Sequence, residues 1–411
     1  MTASTSDGLD AAAEPMPPAL SYPQLFLRFL RFGLMAWGGP VAQIAMLRKE
    51  LVDEERWISS ARFNRLLAVM QVLPGPEAHE LCVHLGMRAK GRLGGVLAGV
   101  AFMLPGFLLM LGLSWLYFAM DIQSSALGAA FLGVQVGVVA MIVRAVHRIG
   151  EHVLNDRWLW GLAIGVGLAS LLGASFWVVL PIAGVTYALA ASGRPAFAAA
   201  SAVIGIVLAA AVALWSPGAE PGGLAPGVQA QGASADAAAL FFSGLKAGLA
   251  TFGGAYTAIP FLRNDAVGRG WMTDGQFLDG LALSGILPAP LIIFSTFVGY
   301  VAGGPVGAIA MTAGIFLPAF AFSLILYDRL EAVLEVKQLH ALLEGVAAGV
   351  VGLIAATTLQ LGQATAERVP TLWPAAAIFA GALAVLYLWK SKLNIVAVIV
   401  AAGAAGWLAY G

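Results

Sequence analysis

The chain has 411 residues, of which 60% are hydrophobic and 11% are charged. Water-soluble domains carry about 25% charged residues, so this composition excludes a soluble globular protein and predicts an integral membrane protein. The 22 Lys and Arg residues balance the 22 Asp and Glu residues, which argues against a nucleic-acid-binding protein. The single cysteine, Cys82, excludes an intrachain disulfide and a thiolate metal cluster.

Residues 1–22 are polar and acidic and lack the basic start and apolar run of a cleaved signal, so we predict a disordered cytoplasmic tail. Thirteen apolar segments follow, with lengths suited to helices that cross or enter ~30 Å of hydrocarbon. Residues 216–237, rich in Gly and Pro, predict a flexible external linker after the seventh segment. In chain order the segments cover 24–47, 63–88, 93–118, 125–146, 158–172, 175–191, 196–215, 238–262, 276–300, 304–327, 338–361, 370–389 and 392–410.

The chain contains an internal repeat whose offset drifts only from 215 to 212 residues. The matched stretches include FLRFGLMAWGGP (29–40) with SGLKAGLATFGGA (243–255), LPGP (73–76) with LPAP (287–290), and GVQVGVV (133–139) with GVAAGVV (345–351). We therefore predict an all-α polytopic membrane protein with two homologous halves. The first half is residues 23–215, including one extra connecting helix, and the second is residues 238–411.

The Lys and Arg residues of the short loops predict that the two halves are antiparallel. In the first half they follow the second, fourth and sixth segments, and in the second half they follow the third and fifth segments. Such an inverted repeat is typical of secondary transporters. It places the N-terminus in the cytoplasm and the C-terminus outside.

The basic loop between the first two segments contradicts this orientation if both segments cross the membrane. The conflict disappears if each is a re-entrant hairpin that enters and leaves on the cytoplasmic side. Gly38-Gly39-Pro40 and Pro74-Gly75-Pro76 lie near the segment centres, and half a segment extends ~18 Å as helix, which reaches the bilayer midplane. Broken spanning helices are the alternative. Either version leaves nine full crossings.

Breaks in the middle of apolar segments predict a substrate site. Proline lacks a backbone N–H and stops a helix, and non-helical backbone at membrane depth occurs only where protein or a water-filled cavity covers it. Half-helices that start there present free N–H groups and partial positive charge, which suits an anion. The candidate binding residues are Gly38, Gly39, Pro40, Gln43, Pro74, Gly75, Pro76, Gly253, Gly254, Ala255, Pro288 and Pro290, with Arg31 and Lys246 as cations at the rim.

Close helix packing explains a single Gly pair or Pro-Gly-Pro equally well, and the matched duplicate favours a site. Glu77 and His79 are candidates for gating or proton coupling, although the second half has apolar residues at these positions. Two further ionisable residues either reach the headgroup level or pair with Arg88: Glu80 and His84. Three glutamines inside apolar segments are interpreted mainly as interhelical hydrogen-bond donors, with oxyanion binding as the alternative: Gln43, Gln71 and Gln135.

The sequence has no GxxxxGK[ST] phosphate loop and no HExxH or CxxC pattern. This argues against an ATP-driven pump and against an enzyme, and we expect no cofactor. Transport is then secondary or channel-like.

Several short motifs together resemble the chromate ion transporter family in its long two-domain form. They are FGLMAWGGP, LPGPEA and GMRAKGRLGGVLAG leading to LPGF in the first half, and TFGGAYTAIPFL, LPAP and LPAF in the second. The resemblance covers residues 24–147 and 238–362 and implies antiparallel domains, chromate export across the bacterial inner membrane, and chromate resistance. His79 and Glu80 depart from the more neutral polar residues that are usual in the family.

Sulfate is the expected mimic of chromate because it has the same shape and charge, and a homodimer is a further expectation. Two other functions were weighed. A sulfate or other oxyanion importer has the same site chemistry as an exporter. A membrane-embedded chromate reductase or a receptor requires a redox cofactor site or a soluble sensing domain, and the sequence has neither pattern.

Overall fold

The computed structural model describes residues 15–71, 73–120, 127–215, 235–252, 254–325, 337–391 and 393–411. Most of the predicted tail and linker, 1–14 and 216–234, lies outside the described residues. Apart from one isolated bridge, regular structure in the described ranges is helical. The helices are α1 (Tyr22–Leu34), α2 (Gly39–Arg48), α3 (Ser60–Met70), α4 (Glu77–Ala119), α5 (Leu127–Val153), α6 (Arg157–Leu171), α7 (Phe176–Ala191), α8 (Pro195–Trp215), α9 (Ala237–Leu249), α10 (Ile259–Ala266), α11 (Asp274–Gly285), α12 (Phe294–Ile325), α13 (Lys337–Arg368), α14 (Leu372–Leu388) and α15 (Asn394–Tyr410).

Three short elements complete the order: a π-helix (Lys49–Glu54) and two 3₁₀-helices (Ala255–Ala258 and Leu291–Ile293). Among the described residues, four helical segments are long and apolar enough to cross a membrane: Glu77–Ala119, Leu127–Val153, Leu291–Ile325 and Lys337–Arg368. Six shorter apolar helices accompany them. The all-α polytopic class is confirmed, and the count of nine crossings stays a prediction.

The two halves repeat the same order of elements, and their longest helices share an internal reversal. The backbone leaves helical geometry at Lys90-Gly91 in α4 and at Gly303-Gly304 in α12, with φ of 64° at Gly91 and 60° at Gly304. Glycine adopts this left-handed conformation without a Cβ penalty. Each long helix therefore consists of two arms, which we call α4a (77–89), α4b (92–119), α12a (294–302) and α12b (305–325).

The two arms fold back on each other. A Cβ added at Gly86 would lie 2.5 Å from the Gly94 carbonyl oxygen, although a straight helix would separate these residues by ~12 Å. In α12 a Cβ at Gly299 would lie 2.4 Å from the Gly307 carbonyl oxygen. Glycine is needed at these positions because the backbones touch.

The first two apolar segments of each half are helical hairpins. Arg28 on α1 donates a hydrogen bond of 2.9 Å to Glu50, 22 residues later, whereas a continuous helix would separate the two by ~33 Å. Arg88 at the end of α4a donates a 3.1 Å bond to the Trp57 carbonyl, which precedes α3. Each pair of helices thus ends close to where it begins. The re-entrant arrangement in the membrane stays a prediction.

Ion pairs join the stems of the first hairpin in each half at matched positions. Arg31 pairs with Glu50, and Lys246 lies 2.6 Å from Asp265, which also accepts a 2.6 Å bond from the Ser243 hydroxyl. The two cations therefore have carboxylate partners in the scaffold. Their predicted contribution to an anion site stays a prediction.

The halves interlock through antiparallel helices. A Cβ added at Gly95 of α4b would lie 3.0 Å from Leu324 of α12b, and one at Gly99 would lie 2.5 Å from Phe320, so the two equivalent arms run in opposite directions. In addition, α5 packs on α14 and α15 of the second half, and α13 packs on α6 and α7 of the first. The second half thus covers α5 of the first half, and the first half covers α13 of the second.

The LPGF and LPAF motifs contact the break of the opposite half. A Cβ added at Gly106 would lie 2.4 Å from the Ala289 Cβ, and one at Gly75 would lie 3.3 Å from the Ala319 Cβ. These two contacts are equivalent under the repeat. They place two of the breaks at the interface between the halves.

Asp265→Ala is expected to destabilise the protein by about 3 kcal/mol because it leaves Lys246 without its partner in a largely buried stem. The measurement is the apparent melting temperature of purified protein in detergent. Glu54→Ala is the control, because Glu54 is 56% exposed and lies 3.8 Å from Lys49; it should change stability by less than about 0.5 kcal/mol. Equal melting temperatures for the two variants would contradict a structural role of the stem pair.

Gly106→Val is expected to cost about 1–3 kcal/mol, because the new side chain must displace Ala289 of the other half. Gly112→Val is the matched control on the same arm, since a Cβ at Gly112 meets no atom within 4 Å. Thermal unfolding of both variants in the same detergent checks the difference. A melting temperature for Gly106→Val no lower than that of the control would show that the halves do not meet there.

Candidate substrate-binding site

The four breaks lie between the two helices of each hairpin: break 1 (35–38), break 2 (71 and 73–76), break 3 (250–252 and 254) and break 4 (286–290). They pair across the halves, break 1 with break 4 and break 2 with break 3. Break 1 and break 4 enclose a pocket lined by Trp37, Gly38, Gly39, Pro40, Tyr256, Ser284, Gly285, Leu287, Ala289, Leu291, Ile395 and Val396. The structure therefore brings Gly38, Gly39 and Pro40 together with the LPAP segment of the other half.

Break 1 owes its shape to two successive glycines. Gly38 has φ of 88° and Gly39 has φ of 75°, a left-handed conformation that other residues adopt only with strain. Pro40 follows and contributes no N–H donor. Gln43 donates a 2.9 Å hydrogen bond to the Ala36 carbonyl, which the broken helix leaves without an intrahelical partner. Gln43 thus holds the break with one of its two amide N–H donors.

The two helices of every hairpin differ in how they begin. All four entering helices have a side-chain cap that accepts a backbone N–H, from Ser21, Ser59, Asp236 and Thr273. The four returning helices have none, and their N-cap residues are Gly38, Pro76, Gly254 and Pro290. A side-chain cap would occupy the first N–H groups. Within the hairpins, the helix N-termini without a side-chain cap are therefore those at the breaks.

The two pairs of breaks differ in the backbone hydrogen bonds that join them. The Gly75 N–H donates a 2.8 Å bond to the Thr251 carbonyl, and Pro74 and Phe252 form an antiparallel bridge. No equivalent bridge joins break 1 to break 4 in the part of the chain that the structure describes. The pair formed by breaks 2 and 3 is closed, and the pair formed by breaks 1 and 4 is open around the pocket.

The other predicted binding residues lie beside these pairs. Gly254 has φ of 124° and open space where a Cβ would lie, whereas Ala255 is buried. Pro288 and Pro290 flank Ala289 in break 4 and are buried. Gly253 lies outside the described residues. The predicted set therefore gathers at the interface of the halves, although not in one cavity.

The pocket contains no charged residue among its lining side chains. The charge of Arg148 on α5 acts on Tyr256, which lines the pocket, and on Glu77 at the start of α4a. Helix N-termini and the Tyr256 hydroxyl are the groups suited to an oxyanion, because the Ser284 hydroxyl already donates a 2.8 Å bond to the Leu281 carbonyl. Sequence reasoning missed Tyr256 and Ser284, since only the fold brings them to the pocket.

The ionisable residues of α4a are buried. Glu77 is 8% exposed, and His79, Glu80 and His84 are at most 1% exposed. Both Glu80 and His84 are therefore enclosed by protein, and their position relative to the headgroups stays a prediction. The His79 ring lies 4.9 Å from the Phe316 ring and 4.7 Å from the Phe320 ring of the other half.

A buried polar network joins the halves at the opposite end of the fold. Asp279 on α11 accepts a 2.7 Å hydrogen bond from the Tyr117 hydroxyl and a 2.8 Å bond from the Gln135 amide. Arg368 donates to the Gln135 oxygen at 3.2 Å. The interhelical interpretation of Gln135 is confirmed, whereas Gln71 is exposed. Asp279 was missed, and its signal was an acid within an apolar segment.

Comparison with known proteins identifies the same family as the short sequence motifs. The chain matches the chromate transporter family over residues 23–193 and 238–407, one match in each half. It is 69% identical to a chromate transport protein of Pseudomonas aeruginosa, over 98% of this chain and 96% of the relative. It is 30% identical to a chromate transport protein of Cupriavidus metallidurans, over 96% of this chain and 94% of the relative.

A shorter relative matches about a third of the chain. The uncharacterized transporter YwrB of Bacillus subtilis is 31% identical over 34% of this chain and 72% of the relative. No solved structure matches the chain. From the two family matches and the near full-length relatives, this chain belongs to the chromate transporter family.

Proposed function

We propose that this chain is a secondary transporter that exports chromate across the bacterial inner membrane and thereby gives chromate resistance. The observation that carries the proposal is the pocket between break 1 and break 4, where helix N-termini without side-chain caps face a cavity with no charged lining residue. Its relatives from P. aeruginosa and C. metallidurans are named chromate transport proteins. This membership also fits a transporter that is not an enzyme.

The anion is held by backbone donors rather than by a buried cation. A full positive charge at the bilayer centre is expensive, whereas half-helix N-termini supply partial charge and N–H groups together. Chromate at neutral pH is largely a tetrahedral dianion. Moving one charge across 100 mV is worth ~2.3 kcal/mol, so an inside-negative potential favours outward movement of chromate by about 4.6 kcal/mol per 100 mV.

The proposed topology is an inverted repeat with re-entrant hairpins. The first-half hairpins enter from the cytoplasm and the second-half hairpins from outside, with the N-terminus cytoplasmic and the C-terminus external. The antiparallel contact of the equivalent arms α4b and α12b supports the inversion. The ion-paired and hydrogen-bonded hairpin stems support re-entry.

The unequal pairs of breaks support alternating access. A transporter opens its site to one side at a time, and inverted repeats provide two equivalent arrangements that can exchange. Here breaks 2 and 3 are bridged while breaks 1 and 4 surround a pocket. Sulfate as a second substrate, and a homodimer, stay predictions.

Gly39→Leu and Gly254→Leu are each expected to abolish potential-driven chromate flux in proteoliposomes, because the new side chain fills the space beside the breaks. Gly193→Leu is the matched control. Gly193 has φ of 74°, close to the 75° of Gly39, and a Cβ there also meets no atom within 4 Å, but it lies in the turn before α8. The control carries the same backbone strain, of order 1–2 kcal/mol, and should keep its flux.

Sulfate is added as competitor in the same assay. Full activity of Gly39→Leu and Gly254→Leu would contradict the site at the breaks. Flux of sulfate in preference to chromate would contradict the substrate and favour an oxyanion exchanger. Equal loss in Gly193→Leu would assign the effect to strain.

Glu77→Gln is expected to change the pH dependence of chromate flux, because Glu77 begins the helix that follows break 2 and is the carboxylate on which Arg148 acts. His79→Gln tests the second predicted coupling residue. The measurement is initial flux over a pH series at constant imposed potential. A profile identical to that of the unmodified protein would remove Glu77 from coupling and leave the exporter driven by potential alone.

A further inference from the structure

One face of α4a carries a line of ionisable residues that leads away from break 2. Glu77, Glu80, His84 and Arg88 are spaced by three, four and four residues, which places them on one face of a helix. Neighbours along this line have Cβ atoms about 5–6 Å apart. The line covers ~16 Å between the break and the stem where Arg88 binds the Trp57 carbonyl.

Glu80 is a buried member of this line whose carboxyl group the fold does not satisfy. It is 1% exposed, and neither of its carboxyl oxygens has a hydrogen-bond partner among the described residues. The group is directed at break 2, since a Cβ added at Gly75 would lie 2.4 Å from the Glu80 Oε1 atom. A buried carboxyl group in this position responds strongly to any charge that arrives at the break, because few dipoles screen it.

Few other charged groups act on this line. Glu77 acts on Glu80, Arg148 acts on Glu77, and two cations act on His84, namely Arg62 and Arg88. The opposite helix α12b presents uncharged residues to α4a: Phe316, Ala319, Phe320 and Ser323. The Ser323 hydroxyl donates to the Glu80 backbone carbonyl at 3.4 Å, not to its carboxyl group.

The second half has the same fold without these groups. Leu291, Phe294 and Val298 occupy the positions that match Glu77, Glu80 and His84, and all three are buried. The scaffold therefore forms with an apolar line in one half and an ionisable line in the other. Packing does not require the acids, which points to a role in transport.

We propose that Glu80 binds and releases a proton in step with the anion at the breaks, and that Glu77, Glu80 and His84 conduct this proton along α4a. The inference rests on the proposed function. A dianion held at the breaks repels the Glu80 carboxylate, which lies beside break 2, so anion arrival favours protonation of Glu80. The proton reaches Glu80 from water at the mouth of the stem by way of His84. When the anion leaves to the outside, the O–H bond of the carboxyl group breaks, and the proton passes to water that enters the breaks from outside. The transported species is then chromate with a coupled proton.

The first test uses the full chain in proteoliposomes that contain a pH-sensitive dye, with an imposed potential and alkaline pH, where chromate itself carries no proton. Proton and chromate movements are recorded together. The unmodified protein should move protons in a fixed ratio to chromate. Glu80→Gln should lose the proton signal, and Glu151→Gln, a control 56% exposed on α5, should keep the original ratio.

The second test does not depend on flux. Chromate binding to purified protein is titrated calorimetrically in two buffers of different ionisation enthalpy, which reports protons taken up on binding. Uptake should occur in the unmodified protein and in Glu151→Gln and be lost in Glu80→Gln. Folded Glu80→Gln that no longer binds chromate would place Glu80 in the anion site and overturn the inference.

The outcomes separate the two proposals. Absence of chromate flux in the unmodified protein contradicts the exporter itself. Chromate flux without proton movement, or an unchanged ratio in Glu80→Gln, overturns only the coupled proton.

Discussion

Backbone hydrogen bonding in a low-dielectric environment is the constraint on which this structure depends. In hydrocarbon every N–H and C=O group needs a partner, and a continuous helix supplies one for each. Four apolar segments of this chain break instead, and the structure brings the breaks together in pairs between the halves. One pair satisfies itself by the bridge between Pro74 and Phe252, and the other surrounds the pocket.

Small residues make this arrangement possible. Gly33 and Gly248 approach the Phe102 and Ile315 carbonyl oxygens so closely that an added Cβ would lie 2.4 Å from each. A few residues after Gly33, Gly38 and Gly39 adopt the left-handed conformation that separates α1 from α2. Packing and helix breaking are therefore not competing explanations of the glycines. Neighbouring glycines in the same motif serve each purpose.

The scaffold is symmetric, whereas its chemistry is not. Both halves have the same hairpins, stem ion pairs and reversal in the long helix. The ionisable line on α4a occurs only in the first half, and the Asp279 network combines Tyr117 and Gln135 of the first half with Asp279 and Arg368 of the second. Duplication explains the backbone, and later divergence of side chains gave the two ends of the molecule different properties.

The family shown by the comparisons was already identifiable from short motifs of glycine and proline. Those motifs are informative because each residue has a local backbone role: Pro40 and Pro74 remove donors, and Gly91 permits a reversal. Charged and polar residues were less predictable. Arg31 and Lys246 were assigned to the rim of an anion site, and the structure pairs them with carboxylates at the hairpin stems.

By itself the sequence determined the membrane class, the order of the apolar segments, the internal repeat and the positions of the breaks. These depend on hydrophobic length, helix periodicity and the conformational limits of Gly and Pro, which act over a few residues. Only the tertiary structure decided which breaks meet, and which partners His79, Gln135 and Asp279 contact. Those partners lie in the opposite half of the chain, and close packing of the two halves, not local pattern, selects them.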